Sequence, residues 1–198
     1  RILQKDMRCG VSEKTINNVA KKNNFLQYTI PVFACQLAQD SDSHQKKLIG
    51  HKFIEVKLDG VRVIAILYPS GKVDFFSRNG KELTNFEHIQ IQLSKCINHY
   101  PLKSAVVLDG EIVSKNFQEL MKQIHRKVSS QNKDATLFLF DTLSFENFKF
   151  GIEKITYRER SEKLKEWYEK NREFLHNVKL INKTLVNLDT EEGKIILK

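Results

Sequence analysis

Cysteine is scarce and odd in number. Cys9, Cys35 and Cys96 stand far apart, no Cys-x-x-Cys occurs, and the six histidines fall at no zinc-binding spacing with them. Three unpaired thiols in a reducing compartment, cytoplasm or nucleus, are the expectation. No apolar run approaches membrane-spanning length and no signal peptide opens the chain, which begins at Arg1 without a methionine and is expected to lack its true N-terminus. Three prolines and eight glycines come with no internal repeat and no low-complexity tract. A Gly-rich phosphate loop of the Walker or Rossmann type is also missing, so any nucleotide is held another way.

Acids are outnumbered: 33 Lys and Arg face 24 Asp and Glu, a net charge of +9. That excess favours a polyanionic partner, nucleic acid first, although a basic surface is also simply a solvated one. A hydrophobic share of 40%, with 13 Phe, supports a sizeable core, and 198 residues suffice for one large domain or one domain plus a fragment.

In chain order, Gly10-Val11-Ser12 offers a break and an N-cap, and Val11, Thr15, Ile16, Val19 and Ala20 make a partial helical stripe. Residues 1–30 carry six Lys or Arg against two acids, suited to a phosphate backbone or to water. Residues 40–47 form a polar loop. Strands are expected at 52–57, 61–68 and 73–77, with turns at Pro69-Ser70-Gly71 and Asn79-Gly80, as an antiparallel meander with Lys57 at its rim. Asn85 is placed to cap a helix with Phe86, Ile89, Leu93, Cys96 and Ile97 on one face. A strand follows at 105–113. Asn116 and Glu119 then suggest a capping box for a helix with Phe117, Leu120 and Ile124 inward and Lys122, His125, Arg126 and Lys127 available to DNA or solvent. A strand at 136–143, a long charged helix at 157–175 and short strands at 178–181 and 195–197 complete the reading.

Lys57-Leu58-Asp59-Gly60-Val61-Arg62 carries the sharpest signal. A lysine beside a tight turn and an arginine is suited to nucleophilic attack on phosphorus, because a neutral amine is a good nucleophile and a cationic neighbour favours the neutral form. The plain alternative is a β-hairpin, since Asp-Gly between two β-rich runs is itself a turn signal. Ser77-Arg78-Asn79-Gly80, Leu108-Asp109-Gly110-Glu111 and Phe138-Leu139-Phe140-Asp141 follow, each at a strand end or turn. Together they supply a lysine, two arginines, carboxylates and an aromatic face, an inventory suited to attack on a nucleotide phosphate. Glu55 also reads as an exposed strand residue, Phe140 as core, and Asp59 and Asp109 as turn residues.

These four elements, in this order, resemble the ATP-dependent DNA ligases of the covalent nucleotidyltransferase superfamily, in the style of small bacteriophage or viral enzymes. The resemblance covers residues 3–150, and Lys5 to Asn17 is similar to the segment before the ligase core. It implies an α+β nucleotidyltransferase fold, ATP-grasp-like, of antiparallel sheets flanked by helices. It implies that Lys57 forms a lysyl-AMP intermediate from ATP, Glu55 reads the adenine amino group, Arg62 and Arg78 hold the ribose and phosphate side, and Phe140 stacks on adenine. Glu111 would contact the ribose and, with Glu192, help place Mg2+. Nicked double-stranded DNA is the implied partner of a monomer that needs no membrane, in host cytoplasm if phage-encoded. RNA ligases and mRNA capping enzymes share the superfamily, and a non-catalytic nucleic-acid-binding module is the alternative from another class.

Glu192-Gly193-Lys194-Ile195-Ile196-Leu197-Lys198 is one residue longer than the family's Glu-Gly motif, which has three apolar residues before its lysine. A following Lys-x-Lys strand and an oligonucleotide-binding (OB-fold) domain are not found. The expected organisation is a lead-in and helix at 1–30 and a C-terminally incomplete adenylation domain at 31–198.

Overall fold

The computed structural model describes residues 13–25, 28, 35–116, 118, 120–121 and 133–197. The chain forms two compact units, Arg1–Ala34 and Cys35–Lys198. In the first, helix α1 (Glu13–Lys22) turns its Ala20 inward and ends where Asn24 takes a left-handed φ of 57°. The Phe25 N–H then reaches back to the Ala20 carbonyl at 2.8 Å, closing the last turn. The expected Ser12 cap lies outside the described residues.

In the second unit β2 (Val61–Leu67), β3 (Val73–Ser77), β4 (Val106–Val113), β5 (Thr136–Ser144) and β6 (Val178–Leu180) make one sheet in the order β3-β2-β4-β5-β6. All neighbours are antiparallel except β5 and β6. Val63, Ala65 and Leu67 alternate onto the core face with Leu108, Ile112, Leu137 and Leu139. Helix α2 (Glu87–His99) packs there through Ile89, Leu93, Cys96 and Ile97, spaced for one helical face. It starts one turn position later than Asn85 would place it, with Phe86 at its N-cap. The sheet's other face carries Arg62, Asp109 and Glu111, with Ile64 and Ile66 buried beside them.

Two expectations are corrected. Strand β1 (His51–Glu55) is not part of the meander: it pairs with β7 (Lys183–Asn187) in a separate two-stranded sheet. The hairpin alternative at Asp59-Gly60 therefore falls, because β1 and β2 do not pair, and Lys57 lies in a loop between sheets, not at a strand end. Residues 195–197, expected as a strand, belong to helix α5 (Glu191–Leu197). Thr190 decides that outcome, its hydroxyl accepting the Gly193 N–H at 3.1 Å.

Between β5 and β6 run α3 (Phe145–Phe150) and α4 (Tyr157–Asn171). Thr156 and Glu159 form a capping box at the start of α4. One turn in, Arg160 donates to both oxygens of Asp141 at 2.8 and 2.9 Å and to the Ile155 carbonyl at 2.8 Å. Leu164, Trp167 and Tyr168 turn toward the core. Most of the helix expected after Asn116, including His125 and Arg126, lies outside the described residues; Leu120 is buried. Among the described residues no helix is long and apolar enough to cross a membrane.

Candidate active site

The loop at 56–60 is held against β4. A Cβ added at Gly60 would stand 2.2 Å from the Ile112 carbonyl oxygen and 3.0 Å from Glu111 Cγ, so only glycine permits the approach. From that position the Gly60 N–H donates to the Glu111 carboxylate. Burial pushes the Glu111 carboxyl above its ordinary range, while the Gly60 N–H and the charges of Arg62 and Lys57 pull it back. Lys57 itself is exposed, close enough for its charge to act on Glu111.

Arg62 stands opposite Glu111 in the β2–β4 register. Its guanidinium grips Asp109, Nε to Oδ1 at 3.0 Å and the second contact at 2.6 Å, and donates to the Gln36 carbonyl at 2.6 Å. Asp109 is thus a buried strand residue holding an arginine, not a turn residue. Burial lifts its carboxyl and Arg62 opposes the lift; the same hydrogen bond strengthens the guanidinium's hold on its proton. Arg78 is exposed, and its charge and that of Arg62 both act on the half-buried Cys35 thiol, so the two arginines share one neighbourhood.

Phe140 owes its position to a β-bulge. Asp109 pairs with Asp141 and Gly110 with Leu139, which leaves Phe140 as the extra residue of β5. Its ring lies 5.5 Å from the Arg62 guanidinium. Its carbonyl accepts from Lys183 Nζ and lies 3.1 Å from the Tyr157 hydroxyl. Glu55, the last residue of β1, accepts from the Tyr157 hydroxyl and lies 3.4 Å from Lys183 Nζ.

The fold therefore joins Lys57 with Glu111, Arg62 with Arg78 and Phe140, and Phe140 with Glu55. It does not bring in Glu192, which is exposed in the first turn of α5. The expected second metal carboxylate thus sits at the start of a helix, and among the described residues no hydrogen bond or ion pair links it to the others. Among the described residues no group of three or more His, Cys, Asp or Glu side chains can hold a metal ion. Sequence reasoning missed Tyr157, Lys183 and the roles of Asp109 and Arg160. Thr156-x-x-Glu159 was a legible capping box that places Tyr157 first in its helix; nothing local marked Lys183.

An exposed lysine in a loop clamped to a strand carboxylate, with arginines and an aromatic ring beside it on an α+β two-sheet frame, defines a nucleotidyltransferase domain. The chain belongs to the ATP dependent DNA ligase domain family, whose model matches residues 33–191. The DNA ligase of Vaccinia virus (strain Ankara) is 30% identical over 148 residues, 68% of this chain and 26% of that protein. The DNA ligase of Variola virus is 31% identical over 122 residues, 57% of this chain and 21% of that protein. Among solved structures, Pmar-Lig_PreS3 superposes with a TM-score of 0.85 at 48% identity, covering 99% of this chain and 45% of that one. The bacteriophage T7 ATP-dependent DNA ligase, solved in complex with ATP, shares the fold, with a TM-score of 0.63 at 17% identity over 81% of this chain and 57% of that one. The chain spans about a quarter of the length of these curated relatives.

Proposed function

We propose that this chain is the adenylating domain of an ATP-dependent DNA ligase and that Lys57 is its nucleophile. The carrying observation is the Gly60 contact, which holds the Lys57 loop against Glu111. The uncharged Lys57 amine attacks the α-phosphorus of ATP. A nitrogen–phosphorus bond forms, the bond to pyrophosphate breaks, and the amine's proton passes to water. AMP then passes to the 5′-phosphate at a nick in duplex DNA, and the 3′-hydroxyl displaces it as the phosphodiester forms.

Glu55 reads the adenine amino group, Phe140 stacks on the ring, and Arg62 and Arg78 serve the ribose and phosphate side. Arg62, with three donors committed to Asp109 and Gln36, contributes its fixed charge more than its reach. Among the described residues no closed protein cage for a metal is found, so Glu111 would be the protein group to hold Mg2+. When bound, such an ion offsets charge on the phosphoryl oxygens. The net charge of +9 supports backbone contacts to nicked DNA with a steep salt dependence. Free thiols at Cys35 and Cys96 fit work in a reducing compartment, as a monomer.

The test is incubation with ATP labelled at the α-phosphate, followed by a denaturing gel. Label is expected to migrate with the chain and to vanish in Lys57→Ala and Lys57→Arg. Persistent label in a folded Lys57→Arg variant would remove Lys57 from the reaction.

A further inference from the structure

Tyr157 and Lys183 lie outside every motif that led to the site, yet they converge on Glu55. In the two-stranded sheet Lys183 stands directly opposite Glu55, which places the two side chains next to each other on one face. Tyr157 arrives from the first turn of α4, fixed by the Thr156–Glu159 capping box and by the Arg160–Asp141 pair. Its ring packs edge-on against Phe53 at 5.7 Å, and the Lys183 ammonium sits 4.3 Å from the ring centre.

The hydrogen bonds have a direction. The tyrosine hydroxyl has one proton; Glu55 Oε1 is its nearest acceptor, with the Phe140 carbonyl 3.1 Å away. Lys183 Nζ donates to the Tyr157 oxygen at 2.6 Å and to the Phe140 carbonyl, with Glu55 Oε1 3.4 Å away. Oε1 is thus committed, whereas Oε2 has no hydrogen bond to any described residue. Only 11% of the Lys183 side chain is exposed. Burial lowers the lysine's hold on its proton and the Glu55 charge only partly opposes this, while burial first, and then Glu55, keep the phenol protonated. An ammonium held this far from water must be matched by partners, and here the partners are the base-reading carboxylate and the backbone of the stacking residue. The second link goes to the carbonyl of the extra residue in the β5 bulge.

We infer that Tyr157 and Lys183 are positioning residues that set base selectivity: they immobilise Glu55 as an acceptor with one free oxygen and lock Phe140 beside it. An ionised carboxylate so held accepts from the exocyclic amino group of adenine and repels the carbonyl oxygen that guanine presents at the same ring position. This rests on the proposed adenylation reading. Both residues act through Glu55 and Phe140, so their effect falls on ground-state binding and discrimination and not on attack by Lys57.

The test measures covalent labelling of the 198-residue chain from ATP and from GTP, with KM and kcat for each, in Tyr157→Phe and Lys183→Met. Both variants are expected to raise KM for ATP about ten-fold, the size of one hydrogen bond to a charged group, and to lower the ATP-over-GTP preference about ten-fold. kcat is expected to stay within about three-fold of the parent. Tyr157→Phe preserves the ring packing, so it decides the matter if Lys183→Met does not fold. Unchanged KM and preference in Tyr157→Phe would overturn the inference while leaving Lys57 chemistry intact. So would a loss confined to kcat together with the melting temperature, the mark of a merely structural pair. A parent chain that takes no label from either nucleotide would instead overturn the adenylation reading itself.

Discussion

Gly60→Ala adds one methyl group and should silence the chain. The new Cβ would lie 2.2 Å from the Ile112 carbonyl oxygen and 3.0 Å from Glu111 Cγ. Ordinary carbon–oxygen contact is about 1 Å longer than the first distance, and because the obstacle is backbone in the middle of a sheet, the loop is the part that moves. A displacement of about 1 Å at a reacting group costs on the order of 100-fold in rate. The shift also pulls the Gly60 N–H off Glu111. Stability should change by no more than about 1 kcal/mol, since the loop, exposed apart from the half-buried Leu58 and Gly60, can shift, and the unfolded-chain gain of about 0.4–1 kcal/mol offsets part of the strain. The assay is the rate of covalent labelling from ATP beside a thermal melt. Gly151→Ala is the control: at its φ of 68° an alanine is strained by about 1 kcal/mol, but nothing lies within 4 Å and the site is elsewhere. Gly60→Ala should label about 100-fold slower with a near-normal melt, and Gly151→Ala should melt lower and label normally. Normal labelling by Gly60→Ala would refute the claim that this contact sets the nucleophile.

Phe140→Ala should weaken ATP binding by about 1–3 kcal/mol, read by titration calorimetry; unchanged affinity with a lowered melt would make Phe140 core. Arg160→Met leaves the half-buried Asp141 carboxylate unpaired and should cost about 1.5–3 kcal/mol in urea unfolding, with no loss if the pair is idle. The raised Glu111 carboxyl means that the folded chain binds its proton more tightly than the unfolded one. Its stabilising share is therefore complete below the unfolded pKa and disappears as pH rises through the folded value. Glu111→Gln should accordingly out-melt the parent near neutral pH and lose that advantage in acid, whereas a pH-independent difference would show that burial does not govern this carboxyl.

Much of the site was legible because its chemistry is local. Lys57, Asp59, Gly60 and Arg62 declare themselves within six residues, and Phe140 and Glu111 sit in short strings of their own. The core stripe of α2 and the apolar run of β2 were equally plain, since each depends on its own periodicity. Strand partners were not, because pairing is settled by residues far away: β1 looked like half of a hairpin with β2 and found β7 instead. Residues 195–197 are apolar, two of the three β-branched, yet they continue a helix whose start is capped by the Thr190 hydroxyl at Gly193. Asp109-Gly110 lies within the strand expected at 105–113, but the β5 bulge opposite it and the pairing of Asp109 with Arg62 depend on residues far along the chain. Tyr157 and Glu55 are 102 positions apart, so no window along the chain contains both.

The β1–β7 pairing also sets an order of events during synthesis. His51 meets Asn187 across nearly the whole length of the Cys35–Lys198 unit, and closing so long a loop costs entropy that grows with the logarithm of its length. Pairings this distant form late, whereas β2 and β3 are joined by a short turn and can register as soon as both have emerged. A growing chain that has already made β2 to β5 therefore has Arg62 seated on Asp109 but still lacks the lysine that holds Glu55. The strand that leads into the nucleophile loop waits for one far downstream, and in the finished protein the amides of these two short strands are expected to exchange with solvent ahead of those of β2 and β4.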